Sequence, residues 1–421
     1  MKYLLMRYFG FENYSLGLAT AVLVARTTGL VSRRLGKGAG VALAGKVLIG
    51  LQPNCLGDLA QGLDCVLVSA TNGKTTTTAM CAASLMSLGP VVTNDLGNNM
   101  SGGIAVALAN RKNAKRAVLE VDEAHLETVA AFVEPSHVIL MNLSRDQLDR
   151  VSEVRSLANR WAKVVQNEPD TTFIANISDP LIHFATLGAK NIVKVSLGLH
   201  WKFDAVGCPV CDSALEFDSN QTYRCTSCGF AKPMADYVLH GHELICPDKT
   251  RIEIAVNLPG DFNLGNAAMA LILANLAGVD MQVAKQRVLS IDNVAGRYKT
   301  FNKGDKTISL MMAKNPAGWA AILDSVEFSG KSIVLGLNAE IADGKDTSWI
   351  YDVDFSPLGS YDVVATGQRA FDLSVRLGYA GVAHRVSVDQ QRAISMVDSP
   401  NLVYLGNYTA FQSLRKTLGH V

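Results

Sequence analysis

The sequence has no excess of either charge. Its 39 lysines and arginines against 38 aspartates and glutamates leave a net charge of +1 over 421 residues, so no basic field argues for nucleic acid as the main ligand. It also has no hydrophobic run able to cross a bilayer. Residues 16–31 are apolar, with Lys2 and Arg7 upstream, a superficial likeness to a secretory signal. Arg26 interrupts that run, Arg33 and Arg34 follow it, no small-residue cleavage site stands out, and the uninterrupted stretch is too short to span. The expectation is an amphipathic helix packed on the body of the protein, with membrane-surface contact as the minor alternative. Residues 36–40 read as a loop and 42–51 as another short helix. Internal repeats and low-complexity tails are also missing, which leaves no sign of a solenoid or a disordered arm.

What is present indicates a well-buried globular chain. Hydrophobic residues make up 48% of the sequence, and this length predicts two or three domains. Of eight cysteines, four form two C-x-x-C pairs and the others (Cys55, Cys65, Cys81, Cys246) sit among apolar neighbours. That usage fits a reducing compartment.

Between residues 63 and 179, short apolar runs at 65–69, 117–121, 137–141 and 172–176 alternate with helix-length segments at 76–88, 102–109, 126–133 and 154–166. This pattern predicts right-handed βαβ units and a mostly parallel sheet, with ligands at the carboxyl ends of the strands. Residues 204–232 are rich in Cys, Gly and turn formers. Apolar patterning resumes at 252–258 and in the Ala-rich segment 263–277, and composition breaks again near 296–305. Strands at 307–312, 332–337, 362–365 and 402–404, with helices between them, predict a second α/β domain. The expected division is a helical segment 1–50, a central α/β domain 51–298 with an insert at 204–232, and a smaller α/β domain 299–421.

The most informative stretch is Ser69-Ala70-Thr71-Asn72-Gly73-Lys74-Thr75-Thr76, directly after a buried strand. Backbone N–H groups at such a turn and the following helix N-terminus converge on phosphate oxygens. Lys74 would reach the β- and γ-phosphates and the Thr75 hydroxyl would ligate magnesium. The general phosphate-loop pattern needs a first glycine where Val68 stands; a Thr-rich helix start is the plain alternative. Glu120, at the end of the next long strand, can face the same magnesium. Asp122, Glu123 and His125 are weaker candidates because a helix start favours acids anyway. Residues 142–150 follow the third strand. Asp146 and Asp149 could cap a helix, or Asn142 and Asp146 could meet nucleotide or metal.

Cys208/Cys211 and Cys225/Cys228 are C-x-x-C pairs separated by thirteen residues. Two such knuckles complete a tetrahedron of thiolates around zinc, as in a zinc ribbon. With four protein ligands no position remains for water, so the expected site is structural.

These motifs resemble the Mur ligase superfamily, ATP-dependent enzymes that join amino acids to peptidoglycan precursors. Its phosphate loop T-G-T-N-G-K-T-T matches residues 69–76 with Ala70 in place of a glycine. Its N-[IL]-x-x-D-H-L-D signature resembles Asn142 to Asp149, with Gln147 in place of histidine, and its L-N-x-D-D-P segment resembles residues 175–180. Its L-P-G-x-[FH]-N-x-x-N-x-x-A-A segment is close to residues 258–268. The resemblance implies a Mur-ligase-like fold in which Thr71, Asn72, Gly73, Lys74, Thr75, Thr76, Asn142, Asn263, Asn266 and Arg297 bind ATP. It also implies that Thr75 and Glu120 bind magnesium, with Lys74 and Glu120 acting in catalysis.

Three departures point within the superfamily. The cysteine-rich insert is foreign to the usual amino-acid-adding ligases. The D-Y-A-H-N-P motif has become Met311-Met312-Ala313-Lys314-Asn315-Pro316, and a D-G-x-D-x-S-W-I-x-D-x-D-F block stands at residues 343–355. Together they resemble the MurT family of lipid II isoglutaminyl synthase subunits. That resemblance implies a cytoplasmic protein at the inner face of the membrane, acting on lipid II with a GatD-type glutaminase subunit. It would turn the D-glutamate α-carboxylate into D-isoglutamine through an acyl phosphate and ammonia. The partner's triad would lack an acid that this family supplies. Asp352, at the end of an aromatic-flanked strand-like run, is the first choice for that acid, with Asp346 and Asp354 as alternatives; without the resemblance the block reads as a turn with capping acids. A stand-alone Mur-type amino-acid ligase and a non-catalytic zinc-ribbon scaffold are the competing functions.

Overall fold

The structure, a computed structural model, describes residues 14–35, 40–94, 98–146, 154–199, 201–219, 222–294, 297–325 and 332–419. Its central strand β1 (Asp64–Ser69) is buried from Cys65 onward, as a parallel strand covered on both faces must be. It pairs in parallel with β3 (Arg116–Glu120) on one side and β4 (His137–Leu140) on the other. β2 (Val91–Val92) lies beyond β3. Beyond β4 come β5 (Thr172–Asn176), β6 (Asn191–Ser196) and β9 (Tyr237–His240), all parallel. β10 (Glu243–Ile245) and β11 (Arg251–Glu253) then extend the edge antiparallel.

The alternation of β1 divides the packing into two layers. Cys65 and Leu67 face a layer containing α1 (Leu16–Arg34), α2 (Val41–Leu51), α3 (Cys55–Ala60), α5 (Ser101–Ala109), α6 (Leu126–Val133), α7 (Val154–Asn167) and α8 (Pro180–Ala185). Val66 and Val68 face the other layer, with α4 (Lys74–Leu85), α9 (Phe262–Leu276) and α10 (Met281–Leu289). The Ala-rich α9 is buried without a break from Asn263 to Ala274, so it fills a layer where a larger helix would not fit.

The second sheet has the order β12-β13-β17-β14-β15-β16. Its strands are β12 (Tyr298–Lys303), β13 (Lys306–Met312), β14 (Ser332–Gly336), β15 (Val363–Thr366), β16 (His384–Ser387) and β17 (Asn401–Gly406). All neighbours run parallel except β12 and β13. Helices α11 (Pro316–Ser325), α12 (Ala370–Tyr379), α13 (Gln390–Ser395) and α14 (Tyr408–Gly419) cover its faces. A hairpin of β7 (Leu215–Phe217) and β8 (Tyr223–Cys225) stands apart within the cysteine-rich insert.

One expectation is corrected, and two compositional features find their place. The strand-like run ending at Asp352 is a 3-10 helix, Ser348–Asp352, whose Trp349 and Ile350 are buried in the second core. The composition break near 296–305 contains edge strand β12 (Tyr298–Lys303), whose polar sequence YKTFNK suits a half-exposed ribbon. Of the apolar patterning at 252–258, only Ile252 and Glu253 lie in a strand, the end of β11, before the chain leaves the sheet.

Candidate active site

The ends of three adjacent strands build the site. After β1 the chain turns at Gly73, whose φ is +88° and whose absent Cβ would meet Asn266 Oδ1 at 2.7 Å. Only glycine fits that combination. Ala70, in place of the superfamily's glycine, is fully buried and has no positive φ, so its methyl group is accommodated. The loop is laced to the segment after β4. Asn142 accepts from the Asn72 N–H at 2.9 Å and donates back to the Asn72 carbonyl at 2.9 Å. The Ser144 N–H donates to Thr71 Oγ1 at 3.0 Å. From the far side, Asn266 donates to Asn263 at 2.9 Å and accepts from Thr77 at 3.2 Å.

Lys74 opens α4 and is only 3% exposed. Its ammonium donates to the Ala70 carbonyl, to the Thr71 carbonyl at 3.3 Å and to Glu123 at 2.8 Å. Burial alone would lower its pKa, but Glu123, Glu120 and Asp146 outweigh that and hold it above the usual lysine value. Sequence reasoning gave Glu123 a minor place; only the fold, bringing residue 123 to residue 74, reveals the pair. Asp122, by contrast, accepts from the Ala124 N–H at 3.0 Å, as a turn residue would.

Glu120 ends β3, is 1% exposed, and has one oxygen held by Asn99 at 3.1 Å. Its other oxygen, Oε2, is buried without a hydrogen-bond partner among the described residues, and so is the Thr75 hydroxyl. A buried carboxylate oxygen left open is costly unless a ligand completes it. These two oxygens are the pair expected for magnesium, and hard oxygen donors fit that ion.

The second sheet closes the other side. Thr75, Thr76, Asn142, Asn263, Asn266 and Arg297 share with Lys314 and Gly318 the lining of one open cleft. Lys314 donates to Asp146 at 2.6 Å across the junction, and this holds Asp146 below the usual carboxylate range despite its burial. Arg297, beside β12, brings Nη1 to 3.5 Å from Met312 Sδ. Asp179, from the 175–180 segment, also lines the cleft. Burial pushes it up to about 6, although backbone N–H groups of Leu143, Leu181 and Ile182 donate to it. Gln147 and Asp149 lie outside the described residues.

Arg145 connects this site to the 343–355 block. Its guanidinium lies 2.5 Å from Asp204 and 3.3 Å from Asp352. Asp352 is 42% exposed. Asp346 accepts from the Ser348 N–H at 2.8 Å and Asp354 from the Ser356 N–H at 2.9 Å. Hydrogen bonds from those serines hold both acids below the usual carboxylate range. They are the capping acids that the residues alone suggested; Asp352 is bound by a side chain instead.

All four sulfurs of Cys208, Cys211, Cys225 and Cys228 lie within 4.8 Å of one another. Cys208–Cys228 is 3.6 Å and Cys211–Cys225 is 3.5 Å. Sulfurs around a tetrahedral zinc at about 2.3 Å stand about 3.8 Å apart, so the cluster fits that ion. The insert is seated by Tyr223, which donates to the Ile177 carbonyl at 3.1 Å, and by Phe230, stacked 4.7 Å from the His183 ring.

Comparison with known proteins gives the same frame. The Mur ligase middle domain profile matches residues 68–274 and the MurT ligase C-terminal profile matches residues 312–411. The lipid II isoglutaminyl synthase (glutamine-hydrolyzing) subunit MurT of Streptococcus pneumoniae is 31% identical, over 94% of this chain and 96% of its own. The Staphylococcus aureus (strain COL) subunit of the same name is 31% identical, over 95% and 97%. A pseudomurein peptide ligase type C from Methanothermus fervidus shares the fold, with a TM-score of 0.65 and 19% identity over 86% of this chain and 80% of its own. With both domain profiles and near-full-length relatives in agreement, the chain belongs to the family of MurT subunits of lipid II isoglutaminyl synthase.

Proposed function

We propose that this chain is the ATP-dependent synthetase subunit of a glutamine-hydrolysing lipid II isoglutaminyl synthase. It converts the α-carboxylate of D-glutamate in the lipid II stem peptide to D-isoglutamine, in the cytoplasm at the inner face of the cell membrane. The observation that carries this reading is the convergence of a glycine-turned loop, buried Lys74 and the two open oxygens of Thr75 and Glu120 at the ends of β1 and β3. The central domain, 51–298 with its insert 204–232, binds ATP, and the C-terminal domain, 299–421, contacts a GatD-type glutaminase subunit in a heterodimer.

In this mechanism a substrate carboxylate oxygen attacks the γ-phosphorus of ATP. The bond to the β–γ bridging oxygen breaks, and ADP and an acyl phosphate result. Loop N–H groups from Asn72 to Thr76, with Lys74, stabilise the charge on the transferring group. Thr75 and Glu120, whose buried oxygens are open, would hold magnesium, which would supply neutralisation of phosphate charge. Glu123 keeps Lys74 charged and aimed, Thr71 and Asn142 fix the loop, and Asn263, Asn266 and Arg297 contact the nucleotide. Ammonia from the partner's glutamine then attacks the acyl carbon, loses a proton and expels inorganic phosphate. Asp352 orients the partner's histidine as a triad acid does. The capping bonds of Asp346 and Asp354 favour Asp352 for that role. The four cysteines hold a structural zinc.

The test is amidation of lipid II by the purified pair with glutamine, and by this chain with ammonium alone. Product that requires ATP and Lys74 supports the reading. Addition of a free amino acid by the single chain would favour a stand-alone ligase, and ATP hydrolysis no faster than that of Lys74→Ala would leave only a scaffold.

A further inference from the structure

Among the described residues, the outer face of α1 is apolar and unpartnered. Leu16, Leu23, Val24, Leu30, Val31 and Leu35 are exposed, Val31 by 55% and Leu35 by 65%, and α2 adds Leu43 and Leu51. These eight are nearly a third of the 26 large hydrophobics exposed among the described residues, within a segment of 36 residues. The hydroxyl protons of the threonines within the stripe are engaged by the helix itself, Thr20 donating back to the Leu16 carbonyl at 2.8 Å and Thr27 to the Val24 carbonyl at 2.8 Å.

Charge identifies the occupant. Residues 13–57 contain Arg26, Arg33, Arg34, Lys37 and Lys46 and no acid. In a chain of net +1, those five bases leave the remainder at −4. Arg33 and Arg34 end α1 beside Leu30, Val31 and Leu35. Among the described residues no helix is long and apolar enough to cross a membrane. An apolar stripe bordered by bases on a non-spanning helix is the pattern of a helix lying in a lipid interface.

We propose that the α1–α2 hairpin docks on an anionic phospholipid surface, with the stripe sunk among acyl chains and Arg33, Arg34 and Lys46 at the headgroups. This rests on the proposed function only for its purpose, which is to bring the site to a lipid-anchored substrate. Gly45 of α2 backs so closely onto Gly102 of α5 that a Cβ there would meet its carbonyl. α5 starts at Ser101, two residues after the Asn99 amide that holds Glu120. The hairpin therefore stands one helix from the acidic ligand of the phosphoryl-transfer site.

Flotation of the full chain, alone and with its glutaminase partner, on vesicles of phosphatidylglycerol mixed with phosphatidylcholine tests this against pure phosphatidylcholine. Binding to the anionic vesicles alone is expected. Leu23→Ser/Leu30→Ser should weaken it at least about tenfold, and Arg33→Gln/Arg34→Gln by about thirtyfold. Melting temperature should stay unchanged in both, because the replaced side chains are exposed. No vesicle binding, or equal binding by wild type and both variants, overturns the proposal. So does a self-association or partner complex that Leu23→Ser/Leu30→Ser abolishes while vesicle binding persists. Amidation of lipid II in detergent micelles should be intact in these variants; its absence in wild type as well would fault the assigned function and not the docking surface.

Discussion

Glu123→Gln isolates the electrostatics of the phosphate loop. Lys74 and Glu123 are 3% and 10% exposed at the side chain and 2.8 Å apart. At an effective dielectric of about 20, charges at that distance attract by about 6 kcal/mol. Glutamine retains an acceptor for the ammonium, and Glu120 and Asp146 still act on it. About half of that attraction, ~3 kcal/mol, is then the expected net loss, in line with breaking a buried pair. In a unit of this size that lowers the melting temperature of the ATP-binding unit by about 6–12 °C. In the proposed function ATP brings phosphate charge to the same ammonium, so the stabilisation by saturating magnesium-ATP should be larger in the variant than in wild type. The pH sign follows the raised lysine. Its contribution is present below the ordinary lysine pKa and lost as pH rises through the folded value, so the variant should reach its alkaline melting limit at lower pH. Thermal melts with and without nucleotide measure all of this. A drop of less than about 2 °C, with equal nucleotide shifts in both proteins, would refute the reasoning.

Gly73→Ala must adopt a φ of +88° with its methyl 2.7 Å from Asn266 Oδ1. Backbone strain alone costs about 1–2 kcal/mol, and calorimetric ATP affinity should fall at least about tenfold. Asp179, raised to about 6, contributes stability that is present below the ordinary aspartate value and lost as pH rises through 6. Urea midpoints of the wild type should therefore fall between pH 4 and 6 relative to Asp179→Asn, and parallel profiles would contradict the burial argument. The purified chain should hold one zinc by elemental analysis. Cys208→Ser should lose it and expose the His183–Phe230 contact to hydrogen exchange.

Much of the central sheet was legible because parallel strands buried on both faces leave unmistakable apolar runs, as at 65–69 and 137–141. The loop, Glu120 and the cysteines were legible because turn chemistry and ligand spacing are local. Glu123, Asp146 with Lys314, and Arg145 with Asp352 were not legible as pairs. Each joins residues far apart in the sequence, and no local pattern records which acid a fold brings to which base. β12 was missed because an edge strand can be polar on both faces. The 343–355 block misled because its aromatic and aliphatic residues imitate a strand, whereas Trp349 and Phe355 are buried from a 3-10 path against Trp319. Ala70, where the superfamily has a glycine, needs no positive φ at its position.

The central claim is that this chain makes an acyl phosphate for ammonia and completes the glutaminase of its partner with Asp352. The direct measurement is lipid II amidation by Asp352→Asn in the assembled pair, with glutamine and, separately, with ammonium. The account predicts that glutamine-dependent amidation falls by about four orders of magnitude, as when a triad loses its orienting acid, while ammonium-dependent amidation stays at the wild-type rate. Equal loss with both donors, or full activity with glutamine, would contradict it.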